Sequence, residues 1–140
     1  MEPLLRMNKK LLTFYKSMLL ESAKMSYASR NKVGSIIVKD NNIISYGYNG
    51  TPYGFDNKCE DEKGFTKKEV LHAESNAIIK CCLLNISTEG SAIFSTLSPC
   101  IECSKLIIQA KIKDVFYMDD YRDVDGLNLL KKAEVNVYKI

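Results

Sequence analysis

Two short motifs contain residues that can hold a zinc ion. The only histidine of the 140-residue chain lies in H-A-E (72–74), and two of its five cysteines lie in P-C-I-E-C (99–103). Imidazole nitrogen and thiolate sulfur are preferred zinc ligands, so His72, Cys100 and Cys103 are predicted to bind one ion. Three protein ligands leave the fourth tetrahedral position for water, which is typical of a catalytic zinc.

Glu74 is the candidate acid–base group beside that ion. Two thiolates and a neutral imidazole cancel the charge of Zn²⁺, so this zinc acidifies water less than one held by neutral ligands alone. A nearby carboxylate can compensate by taking the proton of the water and delivering it to the substrate. Glu74 follows His72 by two residues, and we therefore predict that it shuttles protons.

The cysteines allow two other interpretations. The C-x-x-C pair could be a redox site, although this would leave the histidine and the glutamate unexplained. It could also belong to a structural zinc site that includes Cys59, Cys81 or Cys82. We expect Cys81 and Cys82 to be small core residues at the end of a helix.

The ligands are expected at the N-termini of two helices. Ser98 is a good N-cap residue and Pro99 suits the first helical position, which predicts a helix that runs to Ala110. Free N–H groups and the positive end of a helix lower the pKa of thiols placed there. A second helix is predicted from about His72 to Cys82, so two N-termini should converge on one ion.

The rest of the chain alternates between helical and strand patterns. We predict a helix over 11–25 with Leu12, Tyr15, Met18, Leu19 and Ala23 on its buried face, and place Leu106, Ile107 and Ala110 inward on the helix at 100–110. The other predicted elements are strands at 33–39, 42–48, 91–96, 114–118 and 135–140, a turn at 40–42, a long loop at 50–68 and a helix at 126–132.

This order predicts an α/β fold. The first two strands form an antiparallel hairpin, and the later strand–helix–strand crossovers should be right-handed with parallel strands. The result is a mixed five-stranded sheet flanked by helices. We find no repeat or linker, so residues 1–140 are expected to form a single domain.

The composition excludes several classes of protein. One histidine excludes three-histidine zinc sites and HExxH proteases. No apolar run approaches the roughly 20 residues that cross a membrane, so we expect no membrane partner. The segment MEPLLRMNKKLLTF (1–14) has no small-residue cleavage site after an apolar stretch, which argues against a secretory signal. Cysteines without an export signal predict a cytoplasmic protein with reduced thiols.

The charge of the chain is mild. The net charge is +3, and residues 1–40 hold eight basic residues against three acidic ones. A binder of duplex nucleic acid usually has a dense basic stripe, so we expect no nucleic-acid polymer as a partner. A small anionic ligand near the N-terminal third fits this charge better.

Taken together, the motifs resemble the zinc-dependent cytidine deaminase superfamily, for which H-x-E and P-C-x-x-C are the known signature. From about residue 20 onwards the chain most resembles the deoxycytidylate (dCMP) deaminase family. The segments that carry this resemblance are VGSIIV (33–38), GYNGTPYGFDN (47–57), HAESNAI (72–78), TLSPCIECSKLIIQA (96–110) and YRDVDG (121–126). The resemblance implies a three-layer cytidine deaminase-like fold.

The resemblance also implies a reaction. A zinc-bound hydroxide would attack carbon 4 of dCMP while Glu74 moves protons, which gives dUMP and ammonia and supplies thymidylate synthesis. Asn49 would hydrogen-bond the deoxyribose, although an ordinary Asn-Gly turn is the alternative. The Ala73 N–H would hold the ring carbonyl, and the backbone around Ser98 would accept from the exocyclic amine.

The phosphate of such a substrate needs its own contacts. By resemblance, Tyr121 would close over the substrate near the phosphate, and the alternative is an ordinary surface tyrosine. Ser29 and Arg30 precede the first strand in the basic segment and are candidate phosphate ligands. The guanidinium fork of an arginine suits a phosphate, but a solvated arginine is equally compatible with the sequence.

Assembly and regulation are implied only by the resemblance. Family members are commonly homo-hexamers that dCTP activates and dTTP inhibits, each with Mg²⁺. The loop residues Tyr48, Asn49 and Gly50 would lie near that effector site. Some viral relatives hold a second, structural zinc with a further histidine, and no histidine remains here for it.

Two other functions stay open at this point. The chain could be another zinc deaminase that acts on a free cytidine or deoxycytidine nucleoside or on a tRNA adenosine. It could instead be a non-catalytic, zinc-stabilised nucleotide-binding module. Glu74 favours catalysis, because a structural zinc site does not need that carboxylate.

Overall fold

The computed structural model describes residues 7–140, in which helices and strands alternate after an initial helix and hairpin. The helices are α1 (Lys9–Lys24), α2 (Ala73–Leu83), α3 (Ile101–Gln109) and α4 (Asp125–Lys132). The strands are β1 (Gly34–Lys39), β2 (Asn42–Tyr48), β3 (Ala92–Leu97), β4 (Asp114–Asp119) and β5 (Asn136–Lys139). The predicted order of elements is confirmed over this part of the chain.

The five strands form one mixed sheet in the order β2-β1-β3-β4-β5. β1 pairs antiparallel with β2 and with β3, whereas β3, β4 and β5 are parallel to one another. Asp40 and Asn41 make the hairpin turn with φ angles of 50° and 63°, which aspartate and asparagine tolerate better than most residues. The predicted mixed five-stranded α/β sheet is therefore confirmed.

Side chains that alternate along the strands build a separate core on each face of the sheet. On one face α1 packs Tyr15 and Leu19 against the strands, beside Phe94 and Phe116. On the other face α2, α3 and α4 cover a second cluster that includes Ile37, Ile93, Ile107, Val115 and Leu130. The molecule thus has three layers, and the two layers of helices approach the sheet from opposite sides.

Helical periodicity overestimated the width of the buried helix faces. Met18 and Leu106 were predicted to face inward but are 39% and 45% exposed. The buried row of α1 is formed by Tyr15, Leu19 and Ser22. That of α3 is formed by Cys103 and Ile107. Met18 and Leu106 lie beside these rows, on the side of each helix that faces solvent.

The two adjacent cysteines at the end of α2 differ in burial. Cys81 is fully buried in the core, as predicted, but Cys82 is exposed. Consecutive residues of a helix point about 100° apart, so only one of the two can face the sheet.

The predicted long loop connects β2 to α2. Residues 49–72 contain no helix or strand and are crossed by two isolated bridges, Gly50 with Leu71 and Glu60 with Thr66. None of the helices in residues 7–140 has the length and apolar character that a bilayer crossing requires.

Candidate metal centre and active site

The three predicted zinc ligands lie together at the start of two helices. His72 is the N-cap residue of α2 and Cys100 is that of α3, and neither side chain caps its own helix. The Nδ1 atom of His72 lies 3.3 Å from the Sγ of Cys100 and 3.4 Å from the Sγ of Cys103. Two helix N-termini therefore direct one nitrogen and two sulfur atoms to a common point.

Within residues 7–140, His72, Cys100 and Cys103 form the only cluster of three possible metal ligands. Their ligand atoms lie within 4.8 Å of one another. Cys59 and Cys81 are buried elsewhere, so the alternative structural site with these cysteines is not assembled.

Ser98 does not cap α3, contrary to the prediction. The helix begins at Ile101, and its N-cap residue is Cys100. The reason is that Ser98 still belongs to the sheet edge: its N–H donates to the carbonyl of Asp119 (2.9 Å), and its hydroxyl accepts from the N–H of Tyr121 (2.7 Å). The chain can turn into the helix only after Pro99.

The two thiols differ in their affinity for protons. A hydrogen bond from Cys103 and another from His72 lower the pKa of Cys100 to about 4. The hydrogen bond to Cys100 and then burial raise the pKa of Cys103. The hydrogen bond with Cys100 raises the pKa of His72 in turn. Cys100 is thus a thiolate that accepts hydrogen bonds from Cys103 and His72. A metal cation could replace the protons of these hydrogen bonds and stabilise the same negative charge.

Glu74 is a buried carboxyl group in the first turn of α2. Its side chain is 4% exposed, and burial raises its pKa to about 7 although His72 acts in the opposite direction. It follows His72, the N-cap residue of α2, by two residues, so it lies at the same helix start as the ligand cluster. A group with a pKa near neutrality can both take up and release a proton under physiological conditions.

Two members of the ligand cluster, His72 and Cys100, line a cavity of about 530 Å³. This volume is within the range of small-molecule sites in proteins, which spans about 300–1,000 Å³. The residues at the metal end of the cavity are His72, Ala73, Glu74, Leu97, Ser98 and Cys100. The remaining lining residues are Arg30, Asn31, Val33, Asn49, Thr66, Val70, Asp120, Tyr121 and Arg122.

Most of the predicted substrate contacts line this cavity. Asn49, Ala73, Ser98, Arg30 and Tyr121 are all among its walls. Ser29 is not, and its backbone N–H instead donates to the carboxylate of Glu60.

The side chain of Asn49 already has two partners. Its Oδ1 accepts from the N–H of Val33 (2.9 Å), and its Nδ2 donates to the carbonyl of Asn31 (2.8 Å). An asparagine amide has two N–H groups and two carbonyl lone pairs, so one donor and one acceptor site remain. Asn49 can therefore shape the wall of the cavity and still contact a ligand.

The other two residues of the predicted effector loop do not line the cavity. The carbonyl of Tyr48 accepts a hydrogen bond from Asn76 in α2 (2.8 Å). Gly50 is paired with Leu71 through two backbone hydrogen bonds of 3.1 and 2.8 Å. Both residues connect the end of β2 to the segment that carries His72.

Sequence reasoning missed Arg122, which also lines the cavity. Its guanidinium carbon lies 5.9 Å from the ring centroid of Tyr121, and both residues line the wall. The available signal was its place beside Tyr121 in the motif YRDVDG. The cavity therefore has two cationic side chains, Arg30 and Arg122.

Two glycines allow the backbone to pack closely behind the ligand turns. A Cβ at Gly47 would collide with the carbonyl of Ala73 and lie 2.6 Å from the nitrogen of Ala77. A Cβ at Gly126 would collide with the carbonyl of Pro99 and lie 2.8 Å from the carbonyl carbon of Cys100. The start of α2 and the turn before α3 are each held against a neighbouring element.

The fold and the donor set define a class: α/β proteins in which one histidine and two cysteines at two helix N-termini form a metal site beside a buried glutamate. The model of the cytidine and deoxycytidylate deaminase zinc-binding region matches residues 9–119. The chain belongs to this family. The description of the family and the donor set of the site agree on zinc.

Similar proteins come from bacteria, animals and phages. ComE operon protein 2 of Bacillus subtilis is 41% identical over 123 residues, which is 84% of this chain and 65% of that protein. Human deoxycytidylate deaminase is 40% identical over 113 residues, which is 74% of this chain and 62% of the human enzyme. The chain thus spans less than two thirds of the length of either relative.

A solved structure matches more completely. The crystal structure of dCMP deaminase from the cyanophage S-TIM5, in complex with dCMP and dUMP, is 42% identical to this chain with a TM-score of 0.93. The match covers 96% of this chain and 99% of the cyanophage chain.

Proposed function

We propose that this chain catalyses the hydrolytic deamination of dCMP to dUMP and ammonia. The observation that carries the proposal is that Glu74 lines the same cavity as His72 and Cys100, two of the three clustered candidate metal ligands. The cyanophage enzyme, whose crystal structure holds dCMP and dUMP, supports the choice of substrate because its chain is similar over almost its whole length.

His72, Cys100 and Cys103 would hold the zinc ion, because one imidazole nitrogen and two sulfurs form a donor set that zinc prefers. A zinc ion in such a site lowers the pKa of water, so that a nucleophile is available at neutral pH. The role of the chain is to place the pyrimidine and to move protons around it.

Glu74 performs the proton transfers. In the overall reaction a C–O bond forms at carbon 4, the bond from carbon 4 to the exocyclic nitrogen breaks, and water supplies the oxygen. The carboxylate of Glu74 takes a proton from the water and delivers it to ring nitrogen 3, and a second proton leaves with the ammonia. Its burial keeps bulk water from competing for these protons.

The other lining residues bind the substrate. Ala73 is the first residue of α2, where an N–H has no acceptor within the helix, and it donates to the ring carbonyl. The backbone at Ser98 accepts from the exocyclic amine, and Asn49 contacts the sugar. Arg30 and Arg122 attract the phosphate, with Tyr121 beside them.

The proposal is tested by ammonia release from protein of measured zinc content. The substrates are dCMP, deoxycytidine and a tRNA anticodon stem-loop with a target adenosine. We expect dCMP to be the best substrate, with kcat/KM about 10- to 100-fold above that for deoxycytidine, because charge-assisted hydrogen bonds to the phosphate are lost.

Other results would support a different function. A preference for deoxycytidine or for the stem-loop identifies another zinc deaminase and contradicts the proposed substrate. Binding of dCMP with no ammonia release from zinc-loaded protein indicates a non-catalytic nucleotide-binding module.

We further propose that the chain acts as a single-domain homo-hexamer in the cytoplasm and supplies dUMP for thymidylate synthesis. Exposed apolar residues at the end of α2, Ile79, Leu83 and Leu84, support self-association because such a patch favours burial between subunits. In this proposal dCTP activates and dTTP inhibits, with Mg²⁺, near Tyr48 and Gly50. Light scattering, and assays with each nucleotide and Mg²⁺, test these points.

A further inference from the structure

A buried glutamate outside the catalytic cluster connects two segments that lack regular structure. Glu60 is 7% exposed, and both of its carboxylate oxygens accept the backbone N–H of Ser29 at 3.1 Å. One of these oxygens also accepts the N–H of Arg30 at 3.3 Å. Burying a carboxylate costs free energy unless hydrogen bonds replace its contacts with water. The backbone N–H groups of Ser29 and Arg30 provide these hydrogen bonds to Glu60.

Glu60 belongs to a small hairpin formed by residues 59–67. Glu60 forms a bridge with Thr66, and the N–H of Lys67 donates to the carbonyl of Cys59 at 2.8 Å. At the tip, Asp61 Oδ1 accepts the N–H groups of Lys63 and Phe65 at 2.9 and 3.0 Å. The hairpin is thus held by its own hydrogen bonds and offers Glu60 as a fixed anchor.

The same hairpin also contacts the side chain of Arg30. The guanidinium carbon of Arg30 lies 5.8 Å from the ring centroid of Phe65, which is within the range of a cation–π contact. Arg30 and Thr66 both line the cavity. One short hairpin therefore holds the backbone of Arg30 through Glu60 and its guanidinium through Phe65.

We propose that Glu60 is a positioning residue for recognition of the substrate phosphate, acting through Arg30. The inference rests on the proposed function, because it requires a phosphate-bearing substrate in this cavity. Arg30 lies in the segment between α1 and β1, which has no helix or strand of its own to orient it. The carboxylate of Glu60 supplies that orientation, so Arg30 is arranged before the substrate arrives.

The experiment is a double-mutant cycle with Glu60→Ala and Arg30→Ala, measured as kcat/KM for dCMP. Glu60→Ala is expected to lower kcat/KM by about tenfold or more, mainly through a higher KM, because a misplaced arginine loses its contact. In the Arg30→Ala background the same change should cost less than about twofold, because no guanidinium remains to be positioned.

Two further variants separate positioning from general stability. Glu60→Gln keeps the shape and one acceptor oxygen, so it should fold normally and show a smaller rise in KM than Glu60→Ala. Glu62→Ala removes an exposed carboxylate from the same hairpin and should leave KM within about twofold of the wild-type value. A purely structural role of Glu60 would lower kcat and thermal stability without this dependence on Arg30.

The outcomes are decisive in either direction. An effect of Glu60→Ala that is fully retained in the Arg30→Ala background, or that falls on kcat alone, overturns the inference. Failure of the proposed function is seen separately, because wild-type protein would then release no ammonia from dCMP or would not prefer it to deoxycytidine.

Discussion

Two glutamates occupy equivalent positions after two of the candidate metal ligands, but their surroundings differ. Glu74 follows His72 by two residues and Glu102 follows Cys100 by two residues. Glu74 is 4% exposed, whereas the side chain of Glu102 is 74% exposed and pairs with Lys105 at 2.8 Å. Of these two carboxyl groups, only that of Glu74 is shielded from solvent and lines the cavity.

The variant Glu74→Gln tests this difference. We expect kcat for dCMP to fall by about 10²- to 10⁴-fold, because the amide cannot transfer a proton. Zinc content should stay at about one ion per chain, since the three ligands are unchanged. Steady-state ammonia release and elemental zinc analysis provide the two measurements.

Glu102→Gln is the matched control. It alters a carboxylate at the same spacing from a ligand, but one that solvent already surrounds, and kcat should stay within about twofold of the wild-type value. Near-normal turnover by the Glu74 variant would contradict the assignment of the proton shuttle.

At the scale of elements, the metal site depends on how closely two helix starts approach their neighbours. The start of α2 packs on Gly47 of β2, and the turn before α3 packs on Gly126 of α4. Both glycines have ordinary negative φ angles, so close approach and not backbone conformation explains the absence of a side chain. The candidate ligands are therefore aligned by elements that contribute none of the three residues themselves.

Gly126→Ala should weaken the metal site as well as the fold. The added methyl group collides with Pro99 and Cys100, so the turn that carries Cys100 must move. We expect a stability loss of about 1–3 kcal/mol and zinc that a chelator removes more readily than from the wild type. Thermal unfolding and the rate of zinc release to a colorimetric chelator measure the two effects.

Gly90→Ala separates these effects. Gly90 has a φ of 76° and open space around its Cα, so alanine adds backbone strain of about 1–2 kcal/mol without a collision. This variant should unfold at a lower temperature but release zinc at the wild-type rate. Equal zinc release from both glycine variants would show that the packing of α4 does not position Cys100.

At the scale of the whole molecule, the sheet separates the aromatic core on the α1 side from the face that carries the candidate metal site. A row of aromatic rings crosses the α1 side, where Phe94 lies 5.2 Å from Tyr15 and 4.5 Å from Phe116 between ring centroids. Phe116 continues the row to Tyr138 at 5.1 Å. Glu74, His72 and Cys100 lie at the starts of α2 and α3, which pack on the opposite side of the sheet.

Phe94→Ala should therefore affect stability far more than catalysis. Phe94 is fully buried, and its truncation is expected to lower the free energy of unfolding by about 3–5 kcal/mol. The control Phe14→Ala changes a ring that is 50% exposed and should cost less than about 1 kcal/mol. Urea unfolding of zinc-loaded protein measures both, and equal losses would contradict the proposed position of the core.

The order of elements, the type of sheet and the clustering of three candidate metal ligands could be predicted from the sequence. These features depend on local signals, such as the β-branched run before Asp40 and Asn41 and the fixed spacing of Cys100 and Cys103. The resemblance to a known family added the residues around the cavity, and the structure places five of the six proposed substrate contacts in its walls.

Only the tertiary structure decided how those residues are used. In the folded chain Leu106 is exposed, and Ser98 forms hydrogen bonds with Asp119 and Tyr121. Glu60 accepts a hydrogen bond from the backbone of Arg30, which is 30 positions away in the sequence. Each of these outcomes depends on which distant segment occupies the space beside a residue. Periodicity and motif spacing describe only near neighbours along the chain, whereas burial and hydrogen-bond partners are set when the sheet and its two layers of helices pack together.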